Sequence, residues 1–125
     1  MRTRILVVDD NKPMREGLKA LIGLQPEMEV IGEAENGEIA LKLANILRPD
    51  VILMDVQMPV MDGIEATRHI HAEMPGIKIL ALSMYSDGIY VTGMIQAGAV
   101  GYLTKDDACD EMFRAIRKAV GSGNF

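Results

Sequence analysis

An α/β domain built on a parallel sheet is the fold class this sequence predicts, and three observations predict it. Five short apolar runs alternate with stretches whose apolar residues recur at helical spacing. The runs are too short for helices and too apolar for surface loops, as strands buried on both faces are. Gly, Pro, Asn and Asp stand at the joints. The strands are expected at Arg4 to Val8, Glu29 to Glu33, Val51 to Met54, Lys78 to Leu82 and Gly101 to Leu103. The second alternates Val30 and Ile31 with acids, which places it at a sheet edge.

The helices are read from their apolar stripes. Met14, Leu18, Leu21 and Ile22 mark the first, and Ala40, Leu43, Ala44 and Leu47 the second. Ile64, Thr67, Ile70 and Met74 mark the third, Val91, Met94 and Ile95 the fourth, and Met112, Ile116, Ala119 and Val120 the fifth. Asn11 and Asn36 are expected N-caps, because a short polar side chain can accept from the unpaired amides of a first turn. Pro13 fits that turn, where its missing N–H has no intrahelical partner. Gly121-Ser122-Gly123-Asn124 should break the last helix.

Length and charge limit the functions open to the chain. Its 125 residues make one ordinary domain, able to bury roughly two thirds of its unfolded surface. The expected division is a domain over 1–120, with 121–125 a tail or the start of a linker to an output domain outside this chain. A net charge of -5 argues against gripping nucleic acid unaided, since phosphate binding depends on Lys and Arg. Cys109, the single cysteine, rules out an internal disulfide. No apolar run approaches the ~20 residues of a membrane span, and the amino terminus lacks a signal-peptide segment. A cytoplasmic protein without membrane contact is expected.

Chemistry is expected where the strands stop. Asp9 and Asp10 follow the first run, Asp55 the third, Ser83 the fourth and Lys105 the fifth. In an open parallel sheet such positions converge on one crevice at the carboxyl edge. Three carboxylates against one ammonium leave excess negative charge, and two like charges ~4 Å apart repel by roughly 4 kcal/mol at an effective dielectric of 20. A hard divalent cation such as Mg²⁺ would relieve this, because the ligands offered are oxygens. Asp55 could ligate that ion or act as a nucleophile toward a phosphoryl group. The Ser83 hydroxyl can donate to a phosphoryl oxygen, and Lys105 can serve first a carboxylate and then the phosphoryl group. Taken singly, each of these residues is usually a cap, a turn or a solvated charge. His69 and His71 point to different sides of their helix, and the ten methionines read as core filler.

With Asp9-Asp10, Asp55, Ser83 and Lys105 in place, the chain resembles the receiver domains of two-component response regulators. The resemblance runs nearly end to end and is most specific in Asp55-Val56-Gln57-Met58-Pro59-Val60-Met61-Asp62-Gly63. A second specific segment, Ala97-Gly98-Ala99-Val100-Gly101-Tyr102-Leu103-Thr104-Lys105-Asp106, looks like the NarL/FixJ-type branch. The resemblance implies a flavodoxin-like (CheY-like) doubly wound five-stranded sheet of order 2-1-3-4-5 with five helices. It implies that a sensor histidine kinase phosphorylates Asp55. Mg²⁺ would be held by Asp10, Asp55 and the backbone carbonyl of Gln57, with Asp9 helping through water. Ser83 and Tyr102 would switch together, and Gln57 and Tyr85 would tune hydrolysis of the aspartyl-phosphate.

Such a chain is a phosphoacceptor with self-catalysed phosphotransfer and autodephosphorylation, not a conventional enzyme. Transcription would be regulated through a C-terminal DNA-binding domain absent from this chain. The alternative is a stand-alone receiver acting by protein–protein interaction. A homodimer is compatible with the family, although no exposed apolar stripe in the sequence demands one. Asp106 stands where many receivers carry proline, so a trans peptide is expected there. A haloacid-dehalogenase-type phosphatase needs a second acid two residues after its nucleophile, and residue 11 is Asn. A flavin or dinucleotide site would want a phosphate-cradling turn where Asp9-Asp10-Asn11 stands.

Overall fold

The computed structural model describes residues 2–107 and 109–121. Five strands and five helices alternate: β1 (Thr3–Val8), α1 (Lys12–Gly23), β2 (Met28–Ala34), α2 (Gly37–Leu47), β3 (Val51–Met54), α3 (Gly63–Glu73), β4 (Lys78–Ser83), α4 (Gly88–Ala97), β5 (Gly101–Thr104) and α5 (Cys109–Gly121). The strands form one parallel sheet of order β2-β1-β3-β4-β5. β2 lies at an edge, as its acids predict.

Strand alternation sorts the core into two layers. Leu6, Val8, Ile52, Met54, Ile79 and Ala81 face α2, α3 and α4, meeting Ala40, Ala44, Ala66, Ile70 and Met94. Ile5, Val7, Val51, Leu53, Leu80 and Leu82 face α1 and α5, meeting Leu18, Ile22, Met112, Phe113 and Ile116. The sheet is therefore doubly wound. The direction of winding reverses between β1 and β3, and the crevice at their carboxyl ends is where such folds bind ligands.

The caps follow the sequence. Asn11 Oδ1 accepts from the Met14 amide at 3.0 Å, Asn36 Oδ1 from Ile39 at 2.9 Å, and Asp62 Oδ1 from Glu65 at 2.9 Å. α2 ends at Arg48 in the left-handed region, and the Arg4 guanidinium donates to the carbonyls of Leu47 and Arg48 at 2.7 Å each. The Lys105–Asp106 bond is trans, since no cis peptide occurs among the described residues.

Four expectations need correction. Ile95 is 47% exposed, because the inner stripe of α4 runs through Tyr90, Met94 and Ala97, and Ile95 lies a further 100° around the helix. Val120 turns outward beside buried Ala119 for the same reason. α5 continues through Gly121, so that residue does not break it, while the expected tail at 122–125 lies outside the described residues. Exposed apolar side chains are also more clustered than the sequence suggests: Met84, Ile89, Ile95 and Val100 all lie on or beside α4.

Gly63 shows how tightly the loop after β3 folds back. Its N–H donates to the Val56 carbonyl at 2.7 Å, and a Cβ there would sit 1.9 Å from the Asp55 carbonyl oxygen. The obstacle is backbone and cannot rotate away. Gly63→Ala should cost about 3 kcal/mol or more, read as a lower urea midpoint at an unchanged m-value. A midpoint within error of wild type would show that this turn is not needed.

Candidate functional site

Pairing of adjacent strands brings the acids together. β1 and β3 run in register from Ile5 and Val51 to Val8 and Met54, and the Asp55 amide donates to the Val8 carbonyl at 3.0 Å. Asp9 and Asp55 therefore leave neighbouring strands at the same height. Carboxylate oxygens of Asp9, Asp10 and Asp55 lie within 4.8 Å of one another. Asp9 and Asp55 are buried, 2% and 6% exposed, whereas Asp10 faces solvent.

Each buried acid is partly satisfied. Asp9 Oδ1 accepts from the Asn11 amide at 2.9 Å, and Asp9 Oδ2 lies 2.7 Å from Lys105 Nζ. Asp55 Oδ1 accepts from the Val56 amide at 2.8 Å, and Asp55 Oδ2 lies 3.5 Å from the same ammonium. Lys105 is placed by β5: its amide donates to the Ser83 carbonyl at 2.8 Å, fixing the two strand ends side by side. The Ser83 side chain is fully buried, and its Oγ accepts from the Tyr85 amide at 3.1 Å.

The electrostatics match this packing. Burial raises the Asp55 carboxyl from 3.8 to about 6, the Asp9 and Asp10 charges add to the rise, and Lys105 and the Val56 N–H oppose it. Burial disfavours the charge on Lys105, but the hydrogen bond it donates to Asp9 and the charges of Asp55 and Asp9 outweigh it, and the pKa is raised. A cluster of three carboxylate oxygens, without nitrogen or sulfur, is a donor set suited to a hard cation. The residues fit a divalent ion.

All the expected residues are near this edge of the sheet, but not all touch. Tyr102 is half-buried and donates its hydroxyl to the Tyr85 carbonyl at 2.5 Å. Gln57 is exposed, and its amide nitrogen donates to the Tyr90 hydroxyl. Sequence reasoning missed Tyr90, because α4 is apolar on more than one face and its periodicity did not say that the side carrying Tyr90 and Met94 turns inward. It also missed Arg15, which donates to the Asp9 carbonyl at 2.7 Å and to Glu33 at 2.7 Å. Nothing in the local pattern marks that contact, because Glu33 is 18 residues away.

An acidic cluster of two buried carboxylates and one exposed one, with a single lysine, at the carboxyl edge of a doubly wound sheet, is the arrangement of a receiver. The model of the response regulator receiver domain family matches residues 5–117, and the chain belongs to that family. It is 39% identical over 99% of its length to the transcriptional regulatory protein DegU of Brevibacillus brevis, covering 52% of that protein. It is 47% identical over 93% of its length to the transcriptional regulatory protein LiaR of Bacillus subtilis (strain 168), covering 55%. The chain thus spans about half the length of these curated relatives. The solved receiver of the putative response regulator NarL from Mycobacterium tuberculosis superposes with a TM-score of 0.90 at 32% identity, over 95% of this chain and 96% of that one. These relatives place the chain in the NarL/FixJ-type branch.

The raised Asp55 pKa has a consequence for stability. The native state holds a proton on Asp55 up to about pH 6, whereas the unfolded chain releases it near 3.8. Stability from this group is therefore lost as pH rises through that window, by up to about 3 kcal/mol. Without divalent ions, Asp55→Asn should be more stable than wild type at pH 7.5, and the gain should vanish below pH 3.8. Urea unfolding at both pH values measures it. Equal stability at pH 7.5 would mean that Asp55 bears no burial penalty.

Proposed function

We propose that this chain is the phosphoacceptor of a two-component system, with Asp55 as the phosphorylated residue. The supporting observation is the convergence of Asp9, Asp10 and Asp55 within 4.8 Å, with Lys105 between the two buried acids. A sensor histidine kinase presents a phosphohistidine, an Asp55 carboxylate oxygen attacks phosphorus, and the P–N bond breaks. Asp55 is suited to this because its burial keeps competing water low and its neighbours hold it still. Lys105 can then exchange its weaker contact to Asp55 for a phosphoryl oxygen while keeping Asp9.

Asp10, Asp55 and the Gln57 carbonyl would hold Mg²⁺, with Asp9 assisting through water. When bound, that ion offsets negative charge on acceptor and donor. Ser83 supplies a hydroxyl to the phosphoryl group, and Tyr102 follows it as the switch residue. The output is transcriptional, through a DNA-binding domain beyond residues 121–125, because the matched relatives are transcriptional regulators about twice as long. A net charge of -5 supports delegating DNA contact to such a domain. No described helix is long and apolar enough to cross a membrane, and a cytoplasmic site of action completes this reading.

Acetyl phosphate with Mg²⁺ should add one phosphoryl group to the wild-type chain, mapped to Asp55 by peptide mass after borohydride reduction, and none to Asp55→Asn. Asp10→Ala should weaken Mg²⁺ binding by about tenfold or more, seen in a Mg²⁺ titration of the unphosphorylated protein. An adduct on another residue, or undiminished Mg²⁺ affinity, would count against the assignment.

A further inference from the structure

We propose that Tyr90 is a positioning residue that sets the lifetime of the phosphoryl group by holding the side chain of Gln57 beside the pocket. The inference rests on phosphoryl acceptance at Asp55. Gln57 follows Asp55 by two residues and lines an open hollow with Asp10, Met58, Pro59 and Asp62. Its Nε2 donates to the Tyr90 hydroxyl on the first turn of α4. The half-buried Tyr90 ring lies 5.1 Å from that of Tyr85, tilted by 38°. Tyr85 is itself fixed through its backbone, donating to Ser83 Oγ and accepting from the Tyr102 hydroxyl. One hydroxyl therefore ties the loop after β3, which carries Asp55, to the start of α4, whose Tyr90 ring lies against Tyr85 in the loop after Ser83.

Loss of the phosphoryl group is a hydrolysis. A water oxygen attacks phosphorus, the bond from phosphorus to the Asp55 oxygen breaks, and the water's proton leaves to solvent. Inorganic phosphate and the Asp55 carboxylate remain. The water must approach opposite the breaking bond, from the solvent side of the buried aspartate. With its nitrogen committed to Tyr90, the Gln57 amide has a restricted set of orientations, and its carbonyl oxygen has no protein partner among the described residues. That oxygen can accept from an incoming water and orient it. A released glutamine side chain spreads over many rotamers and does so less often.

Tyr90→Phe removes the hydroxyl and leaves the ring on Tyr85. After loading with acetyl phosphate and Mg²⁺ and removing the donor, the variant should lose its phosphoryl group about threefold to tenfold more slowly than wild type. In a Gln57→Ala background the same substitution should have no further effect. The side-chain amide resonance of Gln57 in the unphosphorylated protein should shift in Tyr90→Phe, which a purely packing role for the ring would not cause. An unchanged decay rate, an effect fully additive with Gln57→Ala, or an unmoved amide resonance would each overturn the proposal. If wild-type protein forms no adduct at Asp55, the phosphoacceptor reading fails first and this inference with it, an outcome distinct from normal loading with unaltered decay.

Discussion

The fold ends its two central strands in buried negative charge, and much of the site's architecture answers that fact. Asp9 and Asp55 leave β1 and β3 at the same height, where both side chains are almost wholly buried. Burying a charge is costly unless it is paired and hydrogen-bonded, and here one lysine serves two acids. The pairing is unequal. Asp9 holds the ammonium at 2.7 Å and takes an amide as well, while Asp55 stands 3.5 Å away and keeps a raised pKa. An acid left incompletely compensated is one that gains most from a new cationic partner.

The scaffold holds this arrangement from both sides. Arg15 binds the Asp9 carbonyl and Glu33 together, and Lys19 joins Glu33 at 2.5 Å, so α1 clamps the ends of β1 and β2. Across the sheet, the Lys105 amide is bound to the Ser83 carbonyl, so the lysine cannot drift without moving the edge strand. Below the acids, Gly63 brings the start of α3 against the Asp55 backbone. Backbone contacts thus fix where Asp9, Asp55 and Lys105 leave the sheet.

Much of this was legible in the sequence because it depends on short-range rules. Buried parallel strands are continuous apolar runs, and Ile5 to Val8 and Val51 to Met54 could hardly be read otherwise. Asn11 and Asn36 announce helix starts through their own side-chain chemistry. Once strand order is inferred from the family resemblance, convergence of Asp9, Asp55 and Lys105 follows from topology alone. What failed was orientation around a weakly amphipathic helix. α4 is apolar on more than one face, with Met94 buried and Ile89 and Ile95 exposed, so periodicity could not say which side meets the sheet. The Gln57–Tyr90 contact was illegible for the same reason, since it depends on that rotation.

That ambiguity is itself physical, because α4 is held differently at its two ends. α1, α2 and α3 begin with a side-chain cap, each of a kind typically contributing about 1 kcal/mol, whereas Asp87 makes no such bond to α4. At the far end, Gly98 has φ of 122°, and a Cβ there would meet the His71 ring at 2.4 Å, so the carboxyl end is locked against α3. The end nearest the acids is therefore secured by contacts among Tyr85, Tyr90, Tyr102 and Gln57 in place of a cap. Those bonds are partly exposed to solvent and are individually modest in net worth. Local rearrangement in a fold begins where the fewest buried contacts oppose it. The amino end of α4 is thus the one with the least holding it, and it carries exposed Ile89, with exposed Met84 in the loop before it.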